Sequence, residues 1–189
     1  MHRWVASCAA AVVLWLAGFG SAGAVEYKQV NETASTISFT YQQMGNRVYG
    51  TFSQFAATLD FDPDKPEAAH AELTIQLASI DAGSPDANDE LQRPSWFDTA
   101  TYPVATFISS RITPLGNRRY EVTGQLTLKG ISRNVSATIL LKPDNGIGIF
   151  DGEFVLKRGD FKIGEGEWAG DAVVSNDINI RFRVVAPEQ

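Results

Sequence analysis

The titratable residues that could carry out chemistry are few and poorly spaced for it. After the first two dozen residues a single histidine remains, His70, in Ala68-Ala69-His70-Ala71. A Ser-His-Asp arrangement would have to be built on it, yet no Gly-x-Ser-x-Gly elbow presents a serine. Zinc sites draw on several imidazoles or thiolates. The only cysteine is Cys8, so that ligand set is missing too. Carboxylates are commoner. Asp60, Asp62 and Asp64 alternate through a turn, but Pro63 and Pro66 interrupt it, and a calcium loop's glycine and closing glutamate are absent. Asp81, Asp86, Asp89 and Glu90 gather around one segment, and Glu165 and Glu167 flank Gly166. Two acids two residues apart on a strand point the same way, whereas a glycosidase pair faces across its substrate. The pattern predicts solvated acids, no catalytic residue, no metal and no enzyme.

The aromatic residues are the more informative set. Phe39, Tyr41, Tyr49, Phe52, Phe55 and Phe61 come early. Trp96, Phe97, Tyr102 and Phe107 fall in the middle, and Phe150, Phe154, Phe161 and Trp168 come late. In a small barrel such rings either fill the interior or line a void that holds one apolar ligand. A filled barrel would leave the Trp96–Tyr102 loop as a binding surface for another protein. A void would make the chain a ligand carrier.

The elements that must position these rings are strands. Apolar and polar residues alternate through Ile37-Phe39-Tyr41, Leu73-Ile75-Leu77, Tyr120-Val122 with Leu126-Leu128, Val135-Ala137-Ile139-Leu141, and Ile178-Ile180-Phe182-Val184. Period two sends one face inward and the other to water. Turn residues separate the runs, at Asp62-Pro63-Asp64, Gly116-Asn117, Lys129-Gly130 and Asp144-Asn145-Gly146. Seven to nine short strands predict an all-β antiparallel barrel or sandwich. One stretch breaks the rhythm. Ser84-Pro85 is an N-cap and first-turn pair, so a short helix is predicted from Asp86 to Gln92. A helical lid around residues 84–93 would cover part of the barrel.

Residues 1–24 have the layout of a cleavable secretory leader. Arg3 gives a positive start, Ala9 to Leu16 an apolar core, and Ala22-Gly23-Ala24 a small-residue cleavage site. Val5-Ala6-Ser7-Cys8 precedes the apolar core, which is the wrong side for a lipidation box. The expected mature chain is one domain over residues 25–189, free of cysteine and therefore of disulfides. The net charge of −6 is spread without a basic run. Such a field disfavours nucleic acid as a partner.

Several motifs in order resemble the YceI-like family. Gly50-Thr51-Phe52-Ser53-Gln54-Phe55 is similar to its G-x-F-x-x-F, and Ala78-Ser79-Ile80-Asp81 to its S-I/V-D segment. Asp89-Glu90-Leu91 resembles its D-x-L. Trp96-Phe97-Asp98 with Tyr102-Pro103 and Thr106-Phe107 resembles F-F-D…Y-P…T-F. Gly124-Gln125-Leu126-Thr127 through Gly130-Ile131 and Asp160-Phe161-Lys162-Ile163 complete the series. Many members carry histidine where Glu90 and Lys129 stand here. The resemblance implies an eight-stranded lipocalin-like barrel. It also implies a periplasmic location and an isoprenoid lipid, such as a polyprenyl chain or quinone tail, as ligand. No cofactor beyond that lipid is implied. The resemblance allows a dimer and transient contact with the membrane or its electron-transfer proteins. By motif and alternation, the lining is predicted to include Phe39, Tyr41, Phe52, Phe55, Phe97, Phe107, Phe154 and Phe161.

Overall fold

The computed structural model describes residues 25–189; the predicted leader lies outside the described residues. The strands are β1 (Thr36–Gln43), β2 (Asn46–Phe52), β3 (Phe55–Asp60), β4 (His70–Gln76) and β5 (Ile80–Asp81). They continue as β6 (Val104–Gly116), β7 (Arg119–Leu128), β8 (Ile131–Asp144), β9 (Ile147–Lys157) and β10 (Asp177–Pro187). One α-helix, α1 (Pro85–Leu91), lies between β5 and β6. All pairings are antiparallel, in the order β3-β4-β6-β7-β8-β9-β10-β1-β2-β5.

Ten strands therefore stand where eight were expected, and the difference has a local cause. The chain bends at Ser53-Gln54, separating β2 from β3, and a 3₁₀ turn at Leu77–Ser79 separates β4 from β5. The two breaks face each other. Ser53 N donates to Ser79 O at 3.2 Å, and Gln76 N donates to Gln54 O at 3.0 Å. The Ser79 hydroxyl accepts from Gln54 N at 3.0 Å, so the breaks are stitched together. Counted as continuous ribbons, β2–β3 and β4–β5 are two strands, and the ladder closes on itself with eight. Closure leaves no long exposed edge for another chain to extend.

Inside, the alternation holds. Ile37 and Phe39 of β1, every second residue of β7 from Tyr120 to Leu128, and Ile139 and Leu141 of β8 are buried. Their neighbours in sequence are exposed or half-buried. The base of the barrel is filled. Tyr27, Phe61, Tyr120 and Phe150 pack there with Ile112, Ile139 and Leu141. Their rings meet edge to face, Tyr27 on Phe150 at 5.3 Å, Phe61 on Tyr120 at 5.0 Å, and Phe61 on Phe150 at 5.3 Å. That is the arrangement aromatic quadrupoles prefer. The Tyr27 hydroxyl donates to Glu188 at 3.2 Å. Burial, with the Glu188 carboxylate beside it, pushes the Tyr27 phenol up to about 12.

Candidate functional site: an apolar cavity beneath a helical lid

The other end of the barrel is not filled. A cavity of about 650 Å³ opens there, within the range of roughly 300–1,000 Å³ typical of single small-molecule sites. Its walls come from inward positions of the strands. Ile37, Phe39 and Tyr41 of β1 form one continuous wall with Ile178 and Ile180 of the neighbouring β10 and Phe154 and Leu156 of β9, and Ala105, Leu126 and Leu128 of β6 and β7 line the cavity as well. Phe39 packs against Tyr41 with ring centroids 6.2 Å apart and against Phe52 at 5.4 Å.

The lid follows from its sequence. Ser84 caps α1, its hydroxyl accepting from Ala87 N at 3.2 Å, and Pro85 opens the first turn. Asn88 Oδ1 accepts from Ala82 N at 2.7 Å, anchoring the helix to β5. Ala87 and Leu91, four residues apart on one face, turn to the cavity. Asp86 and Glu90, also four apart, stand at the mouth, where Glu90 pairs with Arg93 at 3.0 Å. Past the helix, Trp96 and Phe97 fold inward and are buried. Asp98 adopts φ 51°, and its carbonyl accepts from Thr101 N and Tyr102 N. Of the aromatic loop, only Tyr102 stays at the surface. The void together with these buried rings departs from the packed barrel with an aromatic docking loop.

A second loop, from 162 to 175, completes the wall with Ile163, Trp168 and Val174. It is held by Arg158, which is only 3% exposed. The guanidinium donates to six carbonyls. Nε reaches Ser175 O at 3.1 Å, Nη1 reaches Ile163 O and Gly164 O at 2.8 and 3.2 Å, and Nη2 reaches Trp168 O, Gly170 O and Val174 O at 2.8, 3.0 and 2.9 Å. It also lies 5.6 Å from the Trp96 ring centroid, a cation–π distance. Burial pulls the Arg158 pKa below its usual value, with only the Asp171 charge opposing. The carbonyl dipoles take the place of a counterion, so Arg158 serves as the knot of the loop.

Five of the eight predicted lining residues line the cavity: Phe39, Tyr41, Phe52, Phe97 and Phe154. Three do not. Phe55 begins β3 just past the Ser53-Gln54 bend and joins neither apolar cluster. Phe107 packs against both clusters, between the cavity and the filled base. Phe161 is buried in the 3₁₀ turn after β9, within the upper cluster but off the lining. Motif position alone could not separate these rings from the lining.

Sequence reasoning missed Arg158 and most of the aliphatic wall. The signal for Arg158 was present, since strict alternation from Phe154 and Leu156 places residue 158 inward. His70 lies on the outer side of β4, 2.9 Å from Glu72. Lys129, at the position where many members carry histidine, donates to Lys162 O and Glu165 at 2.8 and 3.1 Å. A shallower polar groove of about 450 Å³ runs outside the barrel past Thr40, Gln42, Asp177 and Asn179. Its solvated side chains offer a ligand little to bury.

Comparison with known proteins agrees with this architecture. The YceI-like domain family matches residues 28–186. Protein YceI of Escherichia coli O157:H7 is 33% identical over 152 residues, covering 76% of this chain and 79% of that one. BcnA of Burkholderia cenocepacia superposes with a TM-score of 0.81 at 38% identity, covering 84% of this chain and 99% of BcnA. A polyisoprenoid binding domain from Saccharophagus degradans shares the fold, with a TM-score of 0.65 at 17% identity, covering 87% of this chain and 99% of that domain.

Proposed function

The chain belongs to the YceI-like family, and we propose that it is an exported protein holding one isoprenoid lipid in its barrel. The observation that carries this reading is the apolar cavity of about 650 Å³, closed below by packed rings. Each methylene moved from water into such a wall contributes roughly 0.8 kcal/mol before ordering costs. A prenyl chain is a long run of such groups and needs few hydrogen bonds to be held. The Saccharophagus degradans domain of the same fold is described as polyisoprenoid binding, which supports the ligand class.

The leader pattern of residues 1–24 supports a periplasmic site of action. In that compartment the protein acts as carrier, scavenger or store, and loads by transient contact with the membrane or its electron-transfer proteins. The binding reading is supported by a wall that is chiefly aliphatic and aromatic, the surface an apolar chain packs against. Native mass spectrometry of the protein isolated from its producing cells, followed by organic extraction, tests the reading. A prenyl lipid is the expected cargo. Protein that arrives empty and refuses added prenyl lipids would overturn it.

A further inference from the structure

The cavity ends on a layer that repeats across β6, β7, β9 and β10. On β6 Ala105 lines the cavity, and the next inward residue is Phe107, which packs against both apolar clusters. On β10 Ile180 lines it, and the next inward residue is Phe182, which packs against the filled base. On β7 and β9 the step below Leu126 and Phe154 is a glycine, Gly124 and Gly152. The missing side chains make room for the rings. The Phe107 ring lies over Gly124 and the Phe182 ring over Gly152, each where a β-carbon would stand. Phenylalanine on β6 and β10 and glycine on β7 and β9 thus build one floor, with the packed Tyr27, Phe61 and Phe150 rings behind it. The opposite end is open. The solvent-exposed lining residues Gln43, Ser84 and Asp86 mark the mouth. The polar end of the cavity is therefore the end away from the floor, and an amphiphile enters tail first.

The depth of the cavity has a chemical length. A cavity of about 150 Å³ takes one benzene, about 25 Å³ for each carbon. At that scale the cavity of about 650 Å³ seats roughly 25 carbons, or about five isoprene units. We propose that the floor of Phe107 and Phe182 is a length stop, so that the barrel seats about five isoprene units of a prenyl tail and no more. This rests on the lipid-binding reading and adds the length of chain to it. A lipid with a tail of that length fills the cavity and leaves its head at the mouth. A longer one seats the same length, and the rest of its chain stays outside.

The test titrates all-trans prenols of two to nine isoprene units and follows tryptophan emission, since Trp96 and Trp168 line the cavity. Affinity is expected to rise at least roughly tenfold with each unit up to about five, because each brings further carbons against the wall, and then to change by less than about threefold out to nine. A rise that continues well past six units would mean that the chain finds room beyond the floor. A rise that stops at three would mean that the tail halts short of it. Either result overturns the proposal and leaves lipid binding standing. Wild-type protein that binds no prenol of any length overturns the lipid reading and this proposal together. Two variants are expected to move the stop in opposite directions. Phe107→Ala removes a six-carbon ring, about one isoprene unit, and should move the break up by about one unit. Ala105→Phe adds such a ring above the floor, leaves the base packed, and should move the break down by about as much. It keeps the proposal open to refutation if Phe107→Ala does not fold. A break that stays in place in either folded variant overturns the assignment of the floor.

Discussion

Phe39 on β1 stands directly opposite Gly50 on β2, and its ring lies where a β-carbon on residue 50 would be. The same relationship recurs at Gly152 opposite Phe182, and the Phe107 ring lies diagonally over Gly124. In each case a glycine on one strand gives up its side chain so that a neighbouring ring can lie flat on the sheet, a device known to offset the weakness of glycine in strands. At Gly50 the ring so placed is a wall of the cavity. Gly50→Ala is expected to destabilise the fold by roughly 1–3 kcal/mol, the usual cost of overpacking. It should also weaken lipid binding, because Phe39 is pushed into the void. Denaturant unfolding measures the first effect and lipid titration the second. Gly170→Ala, where an added carbon meets nothing within 4 Å, is expected to stay within about 0.5 kcal/mol of wild type.

Arg158 ties the 162–175 loop together through six backbone carbonyls. Arg158→Met is expected to cost roughly 3–5 kcal/mol, because buried acceptors would lose their partners. Arg158→Lys should recover only part of it, since an ammonium cannot reproduce the planar fork. Equilibrium unfolding of the three proteins side by side checks the order wild type, lysine, methionine.

Asp151 joins β9 to its neighbours. Its oxygens accept from Arg183 Nε and Nη2 at 2.7 and 3.0 Å and from Lys142 Nζ at 2.9 Å. The Arg183 hydrogen bonds, followed by Lys142, hold the carboxyl below its ordinary value near 3.8. The stabilisation is therefore complete above that value and is lost as pH falls below it toward the depressed folded value. Asp151→Asn is expected to be less stable than wild type at neutral pH, and the gap should narrow as pH falls below 3.8. A gap that does not change with pH would show that the ion pairs contribute nothing.

Tyr27 gives the opposite sign at the alkaline end. Its phenol is raised from 10.0 to about 12 in the fold. The stabilisation is complete below 10.0 and disappears as pH rises through about 12. Tyr27→Phe keeps the ring packing and is expected to lose less stability than wild type across that window. Unfolding midpoints at neutral and high pH provide the comparison.

The strands and the lid were readable because each rests on a local rule. Alternation in Tyr120-Val122 and Ile178-Ile180 sets the inward face, and Ser84-Pro85 starts the helix where the sequence says it should. The breaks at Ser53-Gln54 and Leu77–Ser79 were not readable, because they depend on two segments meeting across the barrel. Phe55, Phe107 and Phe161 were misplaced, each for its own reason. For Phe107, alternation reports which side it faces but not how far along the barrel axis it lies; Phe55 follows the bend that interrupts its ribbon, and Phe161 lies in a 3₁₀ turn beyond the strand pattern. Alternation from Phe154 and Leu156 points Arg158 inward, but its role is not legible because its partners are backbone carbonyls, which carry no sequence signature.

The central claim is that the lipid occupies the barrel interior and not the outer surface. Ala105 and Leu126 face the cavity, so Ala105→Trp or Leu126→Trp fills it without touching the outside. Native mass spectrometry after incubation with a prenyl lipid should show about one bound molecule on wild type. It should show almost none on a filled variant whose circular dichroism and melting are intact. Equal occupancy in wild type and in such a variant would contradict the account, because the lipid would then be bound somewhere other than this cavity.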